Sequence, residues 1–362
     1  MQAAAAGLTG VLLLSAPLNW GQVSRTMTVL AASMRQPAEA AALLEERLNA
    51  AERSPVADGL QTPPAATEPP SDSSNTPAPP SSEATNDLSA SPSVPAMAPP
   101  KEDGSGGKIY ERKMSTGDRL PTGIATLNRS GTSVDVAAAL RRELPIRWVN
   151  SAEPQVLLIH THTTEGYMLY DAGYYNAADR ARTRDESRNV CAVGEAVKRV
   201  LEQAGIGVIH DTTVHDDPKY TGAYTRSAET VKKNLKKYPS IQVVLDLHRD
   251  AVMEGENGLV KPTVTIDGKK AAQMMLLTGV VSTKALPHKN WEKNLTVAAR
   301  LQQALDKDCP NLMRPLNLMA SRYNQQLSTG YLLVEVGSEG NTLAEAVYSA
   351  ELLGKTLAKL LA

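Results

Sequence analysis

Three stretches of this sequence end an apolar run in a side chain that can bind a metal or move a proton. In VLLIHTHTTEGY, Val156 to Tyr167, four apolar residues stop at His160 and His162. In IQVVLDLHRD the run starts at Ile241 and reaches His248. In YLLVEVGSEGN it starts at Tyr331 and reaches Glu335. Catalytic zinc usually takes three protein ligands from His and Asp/Glu and keeps one position open for water. One histidine of the first stretch, Glu186 and His248 would make such a set. Glu335 could then take a proton from water and pass it to a leaving amine. That is the chemistry of metal-assisted amide hydrolysis. Each signal has a blander reading. A histidine at a strand end is more often a structural hydrogen-bond partner, HxH is a short pattern, and Glu335 before Gly337 and Asn341 could simply orient a loop. The combination carries the weight, because the carboxyl ends of neighbouring strands in an open α/β sheet form one rim.

Competing chemistries are poorly served. No GxSxG elbow occurs, and the turn after the first run carries Thr163 and Thr164 but no serine. No glycine-rich phosphate loop follows a strand, which argues against a nucleotide enzyme. Cys191 and Cys309 lie far apart and in no CxxC pattern, so two free, partly buried thiols is the simpler reading, with a single disulfide as the alternative. The formal net charge of −1 gives no argument for a nucleic-acid partner. Lys232, Lys233, Lys236 and Lys237 read as a solvated helix face. Phenylalanine is absent, leaving tyrosine, leucine and methionine to fill the large core volumes.

These residues need elements to position them. Val156–Ile159 follows a proline and reads as a buried strand; strands are also expected at Ile206–His210, Ile241–His248, Gln273–Val281 and Tyr331–Val334, with a short hairpin or lid over Asn257–Asp267. Helices are expected over Ser133–Leu144 and Thr183–Ala204, from about Ser227 to Tyr238, and over Asn290–Lys307 and Thr342–Leu361. In the second of these, Thr183 with Glu186 three residues on matches a capping box, and Gly205 closes the helix. Glu186 shares the face of Val190 and Val193, so it either caps its own helix or reaches a metal at the sheet rim. On the helix pattern alone, the cap is the better reading. Alternation of strands and helices predicts an α/β fold, a mostly parallel sheet with helices on both faces.

The 362 residues fall into three parts. Residues 1–35 include the uncharged apolar stretch Gln2–Trp20, close to the ~20 residues that span a bilayer. It lacks a basic start and contains Pro17. A signal peptide, an anchor and an ordinary apolar helix all fit; an anchor or uncleaved signal best suits a segment that leads into a long linker. Residues 36–107 hold a short helix and then that linker, rich in Pro, Ser and Thr, which cannot bury enough apolar surface to order itself. Residues 108–362 make the catalytic domain.

VLLIHTHTTEGY, HDDPKYTGAYTRS, VVLDLHRDA, NWEKNLTVAARLQQAL and RYNQQLSTGYLLVEVGSEGNTLAEA together resemble the stage II sporulation protein P family, from about Val156 to the C-terminus. The resemblance implies an amidase-like fold, similar to the zinc N-acetylmuramoyl-L-alanine amidases. It also implies zinc-dependent cleavage of peptidoglycan at the amide joining muramic acid to the stem peptide, with an endopeptidase activity besides. The implied setting is engulfment during endospore formation, on the mother-cell membrane facing the septum, beside stage II sporulation proteins D and M. Laid on this sequence, the resemblance makes His162 a metal ligand with His160 as the alternative, Glu186 and His248 the other ligands, and Glu335 the catalytic residue. It lifts the ligand reading of Glu186 to at least the level of the cap. Arg249, Tyr220, Tyr224, Arg226 and Asn324 belong to stretches typical of the family and read as glycan or stem-peptide contacts, with surface packing as the competing reading. The glycine-rich turn of the amidases is replaced here by THTTEGY, which leaves room for a wall-binding scaffold with a degenerate site. A metallopeptidase acting on protein would use the same ligands.

Overall fold

The computed structural model describes residues 97–114, 117–121, 123–179 and 182–362. The chain divides into two units, 1–64 and 65–362, and every described residue belongs to the second. The apolar segment, the short helix and most of the linker expected from the sequence lie outside the described residues. Among the described residues no helix is long and apolar enough to cross a membrane. The last part of the stretch read as linker is already tied to the body: Met97 N donates to Leu169 O at 3.2 Å and Asp103 N to Asn176 Oδ1 at 3.1 Å.

In chain order the elements are β1 Gly107–Arg112, β2 Asp118–Arg119, β3 Ala125–Asn128, α1 Val136–Arg141, β4 Val156–Ile159, β5 Tyr174–Tyr175, α2 Val190–Gln203, β6 Val208–His210 and α3 Ala223–Lys237. Then come β7 Val243–Asp250, β8 Met253–Glu254, β9 Gly258–Ile266, β10 Lys269–Ala272, β11 Met274–Gly279, α4 Trp291–Asp308, β12 Leu316–Met319, β13 Tyr331–Ser338 and α5 Leu343–Leu361. The main sheet has the order β2-β3-β12-β11-β13-β7-β4-β6; a smaller sheet runs β10-β9-β1-β5, with β8 on β9.

The expectation of a mostly parallel sheet is corrected: both sheets are mixed. β2 pairs antiparallel with β3, and β11 antiparallel with β13, inside an otherwise parallel main sheet. The small sheet is antiparallel except where β1 joins β9. The physical reason lies in the connections. β7 to β11 follow one another without a helix, and only a crossover connection obliges a strand to return in the same direction. Helices do cover both faces. Val156, Leu158, Leu245, Leu247 and Val334 pack on one face with residues of α1, α2, α4 and α5. Leu157, Ile159, Val244 and Tyr331 pack on the other with Val231 of α3.

α2 starts six residues later than the capping pattern predicts. Asn189 caps it by accepting from Cys191 N, while Thr183 Oγ1 accepts from Asp185 N in a separate turn. α5 does begin with a capping box, Thr342 with Glu345. α2 and α5 meet closely at Gly354, where a Cβ would lie 2.9 Å from Val200 Cβ. Cys191 and Cys309 are both free and buried, and the four lysines of α3 are exposed.

Candidate active site

Successive side chains of a strand point to opposite faces, so residue parity decides what can meet. On β4, Val156 and Leu158 face α2, and His160 continues that face. Its two nitrogens are both engaged there. Nδ1 donates to Leu247 O at 3.1 Å, which leaves Nε2 to accept from His210 Nε2 at 2.9 Å. The pair is packed under α2, where Gly194 leaves the room: a Cβ there would lie 2.5 Å from His210 Nε2. Burial, with His210 beside it, pushes the His160 pKa down to about 3, so it is a neutral structural histidine.

On β7, Val244, Asp246 and His248 share the face toward α3, and on β13 so do Tyr331, Leu333 and Glu335. The two strands are in parallel register with Glu335 beside His248. His162, just past β4, swings to the same side; its ring centre is 5.3 Å from that of His248, with the planes at 79°. The carboxylate that joins them is Glu165. Its Oε2 lies 3.5 Å from His248 Nδ1 and accepts from Arg249 N at 3.0 Å. A tight turn sets it there, with Glu165 N donating to His162 O and Val190 N donating to Glu165 O. Burial alone would raise the Glu165 carboxyl, but His248, His162 and Arg249 outweigh it and hold the pKa at about 2.

His248 sits between two acids. Its Nε2 is 2.9 Å from Asp246 Oδ1, within ion-pair distance. Burial disfavours its charge, yet Asp246 and Glu165 together hold its pKa well above the usual imidazole value. Asp246 is fully buried and locked by Thr161, whose N donates to Oδ1 at 2.8 Å and whose hydroxyl donates to Oδ2 at 2.7 Å. Burial, helped by His248 and Arg182, outweighs Glu165 and Asp216 and pushes His162 down to about 4. Glu335 keeps part of its side chain at the surface, but Oε2 is sealed and has no partner among the described residues. Burial raises its pKa to about 8, with Asp250 and Glu165 adding to the effect. A carboxyl titrating near neutrality is suited to both accept and return a proton.

The sequence-predicted residues therefore separate. His162, His248 and Glu335 come together. Tyr220 stacks on His162 at 4.3 Å and 4°, and Tyr224 stands edge-on to His162 at 5.6 Å. Glu186 is not brought to this group. It is exposed in the turn before α2, where its charge acts on Cys191 and His210; because the helix starts at Val190, Glu186 is not part of its inward stripe. The other three family-typical residues are engaged within the chain. Arg249 donates to Gly166 O and pairs with Glu339, Arg226 donates to the carbonyls of His215, Lys219 and Thr221, and Asn324 holds Tyr224 O at 2.7 Å. Glu165 was not singled out from the sequence, although it stands three residues after His162. The signal was the H-T-T-E spacing, which a tight turn folds back on itself.

The donor chemistry of His162, Glu165 and His248 fits a catalytic zinc centre. A Zn–N bond of ~2.0 Å puts each ring centre roughly 3 Å from the ion, so two tetrahedral imidazoles have ring centres roughly 5 Å apart, as these do. His162 Nδ1 is buried and without a partner among the described residues. Asp246 behind His248 matches the carboxylate that orients a ligating imidazole. As the side chains stand, no three His, Cys, Asp or Glu among the described residues converge tightly enough to enclose an ion.

Known proteins share parts of this chain. The family model for stage II sporulation protein P matches residues 70–358. This chain belongs to the stage II sporulation protein P family. A relative in that family, stage II sporulation protein P of Bacillus subtilis (strain 168), is 27% identical over 263 residues, 70% of this chain. The match spans 58% of that relative's own length. Among solved structures, the CwlD amidase of Clostridioides difficile in complex with the GerS lipoprotein aligns over 57% of this chain and all of its own, at 13% identity and a TM-score of 0.35. The N-acetylmuramoyl-L-alanine amidase AmiC2 of Nostoc punctiforme aligns over 59% of this chain and 97% of its own, at 12% identity and a TM-score of 0.33. Both are partial likenesses, and neither score is high enough to establish a shared fold with this member of the sporulation family.

Proposed function

We propose that this protein is a zinc-dependent peptidoglycan hydrolase that cuts the amide between muramic acid and the stem peptide during endospore engulfment. The observation that carries the reading is the meeting of His162, Glu165 and His248 beside Glu335, whose sealed Oε2 has no partner among the described residues, in a chain of the sporulation family. His162, Glu165 and His248 would hold the ion, with Glu165 taking the role the sequence suggested for Glu186. When bound, zinc supplies Lewis-acid activation of water and of the scissile carbonyl. The chain does the rest. Asp246 orients the His248 ring, and Tyr220 and Tyr224 wall off the His162 side from solvent. Glu335 takes the proton from the attacking water and delivers it to the leaving amine. Action outside the cytoplasm, tethered by the residues before 97, and work beside stage II sporulation proteins D and M belong to the same reading.

The test is stem-peptide release from purified peptidoglycan by the full chain with zinc. Release is expected, and Glu335→Gln should lower it at least ~100-fold, the usual scale of general acid–base catalysis. Undiminished release by Glu335→Gln would remove that residue from the chemistry. The loose spacing of the donors favours a second reading, a wall-binding scaffold with a degenerate site. Such a protein would sediment with the wall yet release nothing.

A further inference from the structure

A cavity of about 210 Å³ opens one residue from Glu165, lined by Gly166, Tyr167, Ala178, Asp179, Arg182, Thr183 and Arg188. Its charges are unequal. Asp179 is the one acid on the wall among the described residues, and its Oδ2 already accepts from Tyr170 OH and from Asn176 N. Arg182 is largely spent: Nη1 lies 2.8 Å from buried Asp216, Nη2 4.0 Å from Glu165, and its guanidinium covers the Tyr220 ring at 4.7 Å. Those contacts leave Arg182 rigid. Arg188 is different. Its backbone is fixed, with N donating to Asp185 O and O accepting from Tyr167 N, but its guanidinium has no ion-pair partner within 4 Å among the described residues. Its charge helps hold the pKa of exposed Asp185 down, after the hydrogen bonds from Ser187. Among the described lining residues two arginines, one of them without an ion-pair partner, stand against one acid.

We propose that this cavity is a subsite for a free carboxylate on the peptide side of the substrate, with Arg188 as the residue that selects it. An arginine can meet a carboxylate with two parallel hydrogen bonds, and a carboxamide cannot match that pairing. The volume suits one short acidic side chain; at ~30 Å³ per water it equals roughly seven waters. The subsite rests on the hydrolase reading for its biological sense but not for its measurement. Arg182 positions the far wall, and its Tyr220 contact links the subsite to the ring stacked on His162.

The experiment is a binding titration on the full chain with two dipeptides, alanyl-glutamate and alanyl-glutamine, both amidated at the C-terminus so that the glutamate side chain is the sole carboxylate in the pair. Alanyl-glutamate should bind at least 10-fold more tightly. Arg188→Ala should erase that preference, and Arg188→Lys should restore only part of it. Arg188 is exposed, so neither variant threatens folding. Equal affinity for the two dipeptides, a preference that survives Arg188→Ala, or displacement of alanyl-glutamate by equimolar inorganic phosphate would each overturn the proposal, the last by making it a general anion site. The readout separates the two claims. A preserved preference without hydrolysis sinks the hydrolase reading alone, whereas hydrolysis without preference sinks the subsite alone.

Discussion

At the residue scale, the distribution of charge is decided by which buried groups have partners. Glu165 and Asp246 are held as anions by His248 and hydrogen-bond donors, while Glu335 Oε2 has no hydrogen-bond partner among the described residues and burial outweighs His248 to raise its pKa to about 8. That contrast assigns different tasks to carboxyls a few residues apart in space. His160 and His162 make the same point. The sequence left them as alternatives because they are two residues apart, but one has both nitrogens engaged and the other keeps Nδ1 without a partner among the described residues. Another histidine gives a clean pH test away from the site. His288 is fully buried with neither nitrogen partnered among the described residues, and burial, then Arg322, lowers its pKa to about 4. Above pH 6.5 it is neutral folded and unfolded, so it contributes no pH dependence. As pH falls from 6.5 toward 4 the unfolded chain takes up the proton first, and stability drops by ~1.4 kcal/mol per unit, roughly 3 kcal/mol by pH 4. Denaturant unfolding at pH 7 and pH 4 should show that His288→Leu is as stable as the parent at pH 7 and loses less at pH 4. An unchanged loss would mean that His288 titrates normally.

At the element scale, strand parity and helix starts decide what reaches the rim. β4, β7 and the first half of β13 were legible as apolar runs, and so were the residues at their ends. The start of α2 was not, because Thr183–Glu186 carries a capping-box pattern that a local turn uses instead, and Asn189 holds the cap. That shift removes Glu186 from the helix face. The turn from His162 to Glu165 was illegible for a related reason: no glycine or proline marks it, and its geometry depends on contacts with Arg182, Val190 and Arg249 that are distant in sequence. α2 also carries a test of the His160 support. Gly194→Ala should gain ~1 kcal/mol of helix propensity. The new Cβ would nonetheless meet two hydrogen-bonded rings that cannot swing aside, at 2.5 and 2.9 Å. We expect a net loss of at least ~1 kcal/mol in chemical denaturation. A gain in stability would show that the His160–His210 pair yields easily.

At the scale of the whole molecule, the sheet order brings β13, β7 and β4 side by side, so His248, Glu335 and the His162–Glu165 turn share one edge although they come from three separate parts of the sequence. α/β layering with helices on both faces followed from the sequence; the antiparallel joint at β11 did not, because nothing local distinguishes a strand fed by a hairpin from one fed by a crossover. Family membership agrees with the motifs from Val156 onward, and the matched region begins earlier, at residue 70. The central claim concerns which three side chains hold the ion, and zinc stoichiometry measured by elemental analysis on the purified full chain tests it most directly. The account predicts one zinc per chain, lost in Glu165→Ala and retained in Glu186→Ala. No zinc in the parent protein, or loss of zinc in Glu186→Ala with retention in Glu165→Ala, would contradict it.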